Sequence, residues 1–319
     1  MNLRRRARQG LAQHGLADRV VVISGAASGI GRALAVEAAA RGARPAISDV
    51  DEAGLEVTAD LVAGVSGRRP HVRRLDVRDR EGWQSYADAV LAEHGRVDVV
   101  VNNAGIALTA DVLAMPQDLF ERVVDVDFWG VVHGTTTFLP HLIAGGGGAV
   151  VNVSSLFGLM AVPSQSAYNA AKFAVRGFTE ALRQEMLLDG HPVTVSCVHP
   201  GGIATSIVRN GVVVGIDHQA QADFFDHALA RTTPEQAARV ILDGMLAGKA
   251  RILVGADAKA LDALVRLTGA GYQRLVVRAV ARNRPRFLPS HAEPLLEHGR
   301  GSGTSDGVPV GHDRDVRDR

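Results

Sequence analysis

From Arg19 onward the sequence alternates short, β-branched apolar runs with longer amphipathic stretches, and no other feature constrains the fold as much. VVVIS precedes GRALAVEAAARG, PAISD precedes EAGLEVTADLVAG, and HVRRLDV precedes REGWQSYADAVLAEHG; VDVVVN, AVVNVSS, VTVSCV and RILVG follow. Strands that read as continuous apolar runs separated by helices demand a parallel sheet covered on both faces. The expected fold is therefore α/β, a doubly wound parallel sheet in a single domain with a C-terminal helical extension. The expected divisions are an N-terminal extension (1–17), a catalytic domain (18–257), an amphipathic extension (258–283) and a disordered tail (284–319). Thr233-Pro234-Glu235-Gln236 reads as an N-cap, a first-turn proline and a capping-box partner, which starts a helix there. Residues 203–231 lack a clear period and are expected to form a loop with short helices, a candidate lid.

The 319 residues are 46% hydrophobic, ample for a sizeable core. With 35 basic against 34 acidic side chains, no net field favours nucleic acid, so the expected partner is a small molecule. The single cysteine, Cys197, excludes an intramolecular disulfide and a cysteine-based zinc site; within VTVSCV it reads as a buried small hydrophobe, and no metal site is expected. MNLRRRARQG is basic but no apolar secretory stretch follows it, and no window reaches about 18 uninterrupted apolar residues, so a cytoplasmic location is expected.

The first apolar run passes directly into Ser24-Gly25-Ala26-Ala27-Ser28-Gly29-Ile30-Gly31 and then a helix. Glycines 25, 29 and 31 allow a tight turn and close approach of a pyrophosphate, whose charge suits the free N–H groups at a helix start. Asp49 closes the second run, at the spacing expected of a carboxylate that accepts from an adenosine ribose. A 2′-phosphate would meet that charge, and neither Ser28 nor Val50 is a cation, so NAD is expected over NADP. Arg32 and Arg44 are the nearby cations, and both read as solvated positions.

These motifs and those that follow resemble the short-chain dehydrogenase/reductase family from about residue 18 to 257, with its Rossmann-type sheet. The resemblance rests on SGAASGIG, Asp76-Val77, Asn102-Asn103-Ala104-Gly105, Ser155, Tyr168, Lys172 and Pro200-Gly201, in the family's order and with its G-x-x-x-G-x-G spacing. It implies that Gly25, Ser28, Gly29, Ile30 and Gly31 hold the cofactor's phosphates and that Asp76 and Val77 border the adenine. Asn103, Ala104 and Gly105 would line the ribose region, and Pro200, Gly201, Ile203 and Thr205 the nicotinamide end. A homodimer or homotetramer is likewise implied.

Hydride exchange between an alcohol carbon and a nicotinamide needs a second group to take or give the hydroxyl proton. Tyr168 is that candidate. A free phenol titrates near ~10, and a nearby cation favours its ionised form. Lys172, one helical turn on, shares a helix face with Tyr168, and its three donors suit ribose hydroxyls. Only three lysines occur in this arginine-rich chain, so the ammonium at 172 reads as a specific requirement. Ser155 follows the fifth run, where ligands gather, and can donate to the substrate oxygen; Ser154 competes for the part, and the family spacing selects Ser155.

One departure stands out. Asp127 occupies the place where the family usually has an asparagine thought to hold a proton-relaying water. Three readings follow: an active enzyme with Asp127 in the relay, a shifted pH optimum, or a weakened site. The functional expectation is an NAD-dependent oxidoreductase interconverting a secondary alcohol and a ketone. The alternatives are a catalytically weakened dinucleotide-binding regulator and an NADPH-dependent carbonyl reductase. In 258–283, Leu261, Leu264, Val265, Tyr272, Leu275, Val276 and Val280 approximate one face opposite Arg274, Arg278 and Arg282, with Gly269 and Gly271 interrupting the helix. Such a segment can touch a membrane surface, cover a lipophilic pocket, or pack on the body or a second subunit. Together with VRNGVVVGI it tilts the expected substrate towards a lipophilic alcohol or ketone.

Overall fold

The computed structural model describes residues 15–205, 207–215, 218–219 and 231–282, all within one compact unit. Most of the N-terminal extension, the expected tail and much of the candidate lid lie outside the described residues.

Seven parallel strands form the main sheet: β1 (Val20–Ser24), β2 (Arg44–Asp49), β3 (His71–Arg74), β4 (Val99–Asn102), β6 (Gly148–Val153), β7 (Val193–Pro200) and β9 (Arg251–Val254). Their order is β3-β2-β1-β4-β6-β7-β9, so the chain reverses direction across the sheet between β1 and β4. Adjacent residues of one strand serve opposite faces: Val21, Ile23, Val99 and Val101 belong to one core cluster, and Val20, Val22 and Val100 to the other. Helices α1 (Gly29–Ala40), α2 (Glu52–Ser66) and α7 (Pro234–Leu246) cover the first face. Helices α3 (Arg80–His94), α5 (Gly130–Ala144) and α6 (Ser166–Leu188) cover the second, where Trp83, Tyr86 and Phe138 pack edge to face. The helix α4 (Gln117–Val124) runs into α5 through a π-helical segment, Asp125–Trp129.

The local expectations behave as the chemistry requires. Thr233 and Gln236 form a reciprocal capping box with Pro234 in the first turn. Burial pushes the Cys197 thiol up to about 12, as suits a small buried hydrophobe. Two expectations need correction. The third run forms a strand only over His71–Arg74; it is an edge strand, half-buried and charged, and the chain leaves the sheet before Asp76. Within the expected irregular loop, β8 (Val212–Val213) pairs in parallel with β5 (Leu108–Thr109), a second small sheet too short to register as a period.

The extension folds as α8 (Ala256–Thr268), a 3-10 turn at Gly269–Gly271, and α9 (Tyr272–Arg282), broken where the two glycines stand. Leu261, Val265, Tyr272 and Val276 pack against Leu156, Phe157, Met160 and Val162. The apolar stripe thus covers the loop after β6, while Leu275, expected on it, is exposed. Among the described residues no helix is long and apolar enough to cross a membrane.

Candidate active site

Parallel strands bring their carboxyl ends to one edge, and the reversal between β1 and β4 opens a crevice there. The glycine loop crosses it. Gly25 and Gly29 adopt φ of +67° and +53°, and a Cβ on Gly31 would lie 2.0 Å from the Gly25 carbonyl oxygen, so the turn tolerates no side chain there. Ser28 is an extended N-cap whose side chain makes no cap bond, leaving the first-turn N–H groups of α1 for an anion. Ile30 is half-buried against the core. The Ser24 hydroxyl accepts from the N–H of Asn103 and Ala104, and the Asn103 amide donates to the Ser24 and Gly25 carbonyls. The NNAG turn is thereby tied to the glycine loop. Thr205 closes the other side, its methyl 3.2 Å from where a Cβ on Gly29 would be.

Asp49 accepts from the N–H of Ala27 at 3.0 Å, Val50 at 2.7 Å and Asp51 at 3.2 Å, which fixes its carboxylate at the mouth of the loop. Of the two arginines, Arg32 is not a solvated position, whereas Arg44 stays at the surface. Arg32 is half-buried, and its guanidinium donates to the Ala27 carbonyl and the Thr58 hydroxyl. Arg44 pairs with Asp18 at 2.8 Å, at the far end of β2 from Asp49. Asp76 is held by Arg78 at 2.6 Å, a bond that keeps its carboxyl below the usual range, while the Val77 side chain lies in the core. Ile203 is also buried in the core, its backbone bridged to Thr232 and its carbonyl accepting from the Thr205 N–H at 2.8 Å. Pro200 ends β7, and Gly201 follows it with no room for a side chain beside the Asp257 carboxylate, which accepts from the Gly202 N–H at 2.7 Å.

The Ser-Tyr-Lys group assembles where β6 ends and α6 begins. Ser155 is the N-cap of the short turn Leu156–Gly158, its hydroxyl oxygen accepting from the Phe157 N–H at 3.1 Å. With that acceptor used, the hydroxyl proton is free to be donated. Its neighbour Ser154 is buried and donates to the Lys172 carbonyl at 2.8 Å. Of the two serines, Ser155 is the one that acts on the Tyr168 phenol, lowering it. Phe157 stands edge-on to the Tyr168 ring, at 6.3 Å between centroids.

Lys172 is buried, with its ammonium 3.1 Å from an Asp127 carboxylate oxygen, 3.2 Å from the Val153 carbonyl and 5.5 Å from the Tyr168 ring centroid. The π-helical segment brings Asp127 to this position, where its other oxygen accepts from the Ile106 N–H at 2.8 Å. Gly105 lies in front: a Cβ there would come within 3.2 Å of the Lys172 nitrogen and 3.3 Å of Asp127. Burial opposes the Lys172 charge, but Asp127 and Tyr168 beside it leave the ammonium above its ordinary value. Burial raises Asp127, with Lys172 acting against the rise. Burial also raises the Tyr168 phenol; Lys172 lowers it and Asp127 adds to the rise.

Sequence reading passed over several supporting residues. Buried His199, whose pKa burial lowers to about 4, is neutral, and its ring nitrogen lies 2.9 Å from the Ser155 carbonyl. Asn102 and Asn152 link β4 to β6 beneath the site at 2.8 Å, and Asn152 continues to Thr179. In the sequence Asn102 reads only as part of the Asn102-Asn103-Ala104-Gly105 motif, and the signal for Asn152 is polarity within an otherwise apolar strand. Among the described residues, His71, Glu93 and His94 are grouped closely enough to hold a metal, but they stand where β3 begins, at the opposite edge of the sheet.

The short chain dehydrogenase family pattern matches residues 19–212. "Putative oxidoreductase SadH" of Mycobacterium tuberculosis is 56% identical over 265 residues, covering 83% of this chain and 96% of that protein. A 3-oxoacyl-[acyl-carrier-protein] reductase, FabG of Thermotoga maritima, is 33% identical and covers 71% of this chain and 90% of its own length. Among solved structures, a short chain dehydrogenase/reductase from Burkholderia phymatum in complex with NAD superposes with a TM-score of 0.73 at 26% identity, covering 86% of this chain and 98% of that one. The chain belongs to the short-chain dehydrogenase/reductase family of NAD(P)-dependent oxidoreductases.

Proposed function

We propose that the protein is an NAD-dependent dehydrogenase that interconverts a secondary alcohol and a ketone, with Tyr168 as acid/base, Lys172 as its electrostatic partner and Ser155 as donor to the substrate oxygen. The observation that carries this reading is the convergence of the Ser155 hydroxyl, the Tyr168 phenol and the buried Lys172 ammonium at one sheet edge, beside the glycine loop. The side-chain-free surfaces at Gly25, Gly31 and Gly105 and the first turn of α1 fit a dinucleotide. When bound, that group supplies the hydride acceptor or donor.

The chain's own residues supply the rest. In oxidation the Tyr168 phenolate takes the alcohol proton, Lys172 stabilises the anionic phenolate, and Ser155 keeps its proton directed at the substrate oxygen as charge develops there. In reduction Tyr168 returns the proton. Lys172, reached past Gly105, also offers its donors to ribose hydroxyls, and Asp49 accepts from the adenosine ribose and repels a 2′-phosphate. Asp127 serves as the counter-ion of Lys172. The packing of the C-terminal helices on Leu156 and Met160, just after Ser155, supports a lipophilic substrate. Exposed Trp129 and Phe173 support a homo-oligomer.

Turnover of a panel of secondary alcohols with NAD and NADP side by side tests the reading. NADH formation with NAD preferred, abolished in Tyr168→Phe while NADH binding persists, is expected. Undiminished turnover in the variant refutes the assignment of Tyr168, and NADPH preference supports the reductase reading instead. Cofactor binding without turnover across the panel supports a regulator.

A further inference from the structure

The catalytic serine sits at the start of a loop, Leu156 to Val162, that joins β6 to α6. Such a connection has few backbone bonds of its own, so something else must hold it if Ser155 and Phe157 are to keep their places around Tyr168. One bond to that loop comes from far along the chain. The phenol oxygen of Tyr272, the first residue of α9, accepts from the Ala161 N–H at 2.9 Å, 111 positions away. Tyr272 is 8% exposed, and its ring packs in one cluster with Leu156 and Met160, joined by Phe157, Val162, Leu261, Val265 and Val276. At the next residue, the Asn169 side chain donates to the Val162 carbonyl at 2.9 Å. The loop is therefore held on one side by α6, which carries Tyr168 and Lys172, and on the other by the C-terminal helix pair.

We infer that Tyr272 is a positioning residue for the active site, its phenol oxygen pinning the 156–162 loop so that Ser155 and Phe157 stay in register with Tyr168. The C-terminal helices are then a wall of the site and not an appendage. Their inward residues Leu261, Val265 and Val276 are spent on the loop, while the side turned to solvent carries Arg274, Arg278 and Arg282. The glycine break at 269–271 lets α9 turn back so that its first residue reaches Ala161. Tyrosine suits the place, since its ring fills the apolar cluster while its polar end meets a backbone donor.

The inference rests on the proposed alcohol–ketone chemistry only for its kinetic arm, and a second arm is independent of it. In the full chain, Tyr272→Phe keeps the ring and removes the acceptor. Amide hydrogen exchange over 156–162 should accelerate about five- to tenfold, the value of one net hydrogen bond, with exchange in β1 and β4 unchanged. With a turned-over alcohol, kcat/KM should fall by a similar factor through KM or kcat, while NADH affinity and the melting midpoint stay close to those of the native protein. Unchanged exchange at 156–162 overturns the inference even if no substrate is ever found. Faster exchange with unaltered kcat and KM also overturns it, by showing that the loop's position does not matter to the reaction. A general loss of stability, with exchange faster throughout the sheet, assigns Tyr272 to folding alone and refutes a positioning role.

Discussion

Replacing Asp127 with asparagine removes one buried charge: the single amide oxygen can still accept from the Ile106 N–H, and an NH2 then replaces the oxygen that faces Lys172. The Lys172 nitrogen lies 5.5 Å from the Tyr168 ring centroid and 3.1 Å from the Asp127 carboxylate. Together these distances put Asp127 within about 9 Å of the centre of the Tyr168 ring. At an effective dielectric of about 20, a unit charge at ~9 Å opposes the phenolate by about 2 kcal/mol, and Lys172 at ~6 Å favours it by about 3 kcal/mol. Lys172 wins that contest narrowly, and burial then carries the phenol above its ordinary value. Losing the carboxylate returns about 2 kcal/mol to the phenolate, a little more than one pK unit. The sign follows directly. Oxidation needs the phenolate and rises with pH as it forms, so in Asp127→Asn the acid-side limb of the rate profile should move about one unit to lower pH. Reduction needs the neutral phenol, and its decline with rising pH should begin correspondingly earlier. The assay is kcat against pH in both directions for the native chain and the variant. An unmoved profile, or one displaced to higher pH, would falsify the claim that an ionised Asp127 acts on Tyr168.

Three other outcomes are expected. Ser155→Ala should lower kcat about 100- to 1000-fold by removing the donor to the substrate oxygen, with NADH binding retained. Ser154→Ala should instead leave most activity and lower stability by about 1 kcal/mol, read in a denaturant titration, because its hydroxyl serves the Lys172 carbonyl. Gly31→Ala should weaken NADH binding more than tenfold in a fluorescence titration, since the added carbon would overlap the Gly25 carbonyl and force the loop apart. Asp49→Ala should narrow the preference for NAD over NADP by about tenfold or more, measured as a ratio of affinities, by removing the charge that faces a 2′-phosphate.

Much of the fold was legible because its signals are local. A run of β-branched residues makes a strand wherever it sits, a helix cap is written in four consecutive residues, and a glycine loop advertises the absence of side chains that its turn requires. Read in order, these predicted a parallel sheet, a dinucleotide loop with Asp49 behind it, and a Tyr-Lys pair on one helix face. What stayed illegible depends on partners distant in sequence. Ser154 and Ser155 are indistinguishable as letters; they part only because Lys172 draws one inward and the Leu156–Gly158 turn holds the other at the site. Arg32 looked solvated until its bonds to Ala27 and Thr58 were in view.

The amino-acid sequence by itself determined the strands of the main sheet apart from the extent of β3, where the glycine loop lies, and which residue types can carry proton transfer. Periodicity and backbone sterics act over a few residues and need no tertiary context. Only the tertiary structure decided the strand order, the ion pair between Asp127 and Lys172, and the reach of Tyr272 back to Ala161. Each of these joins groups tens of residues apart. Their energy comes from burial and hydrogen bonding between whole elements, which exist only once the sheet and its covering helices have come together.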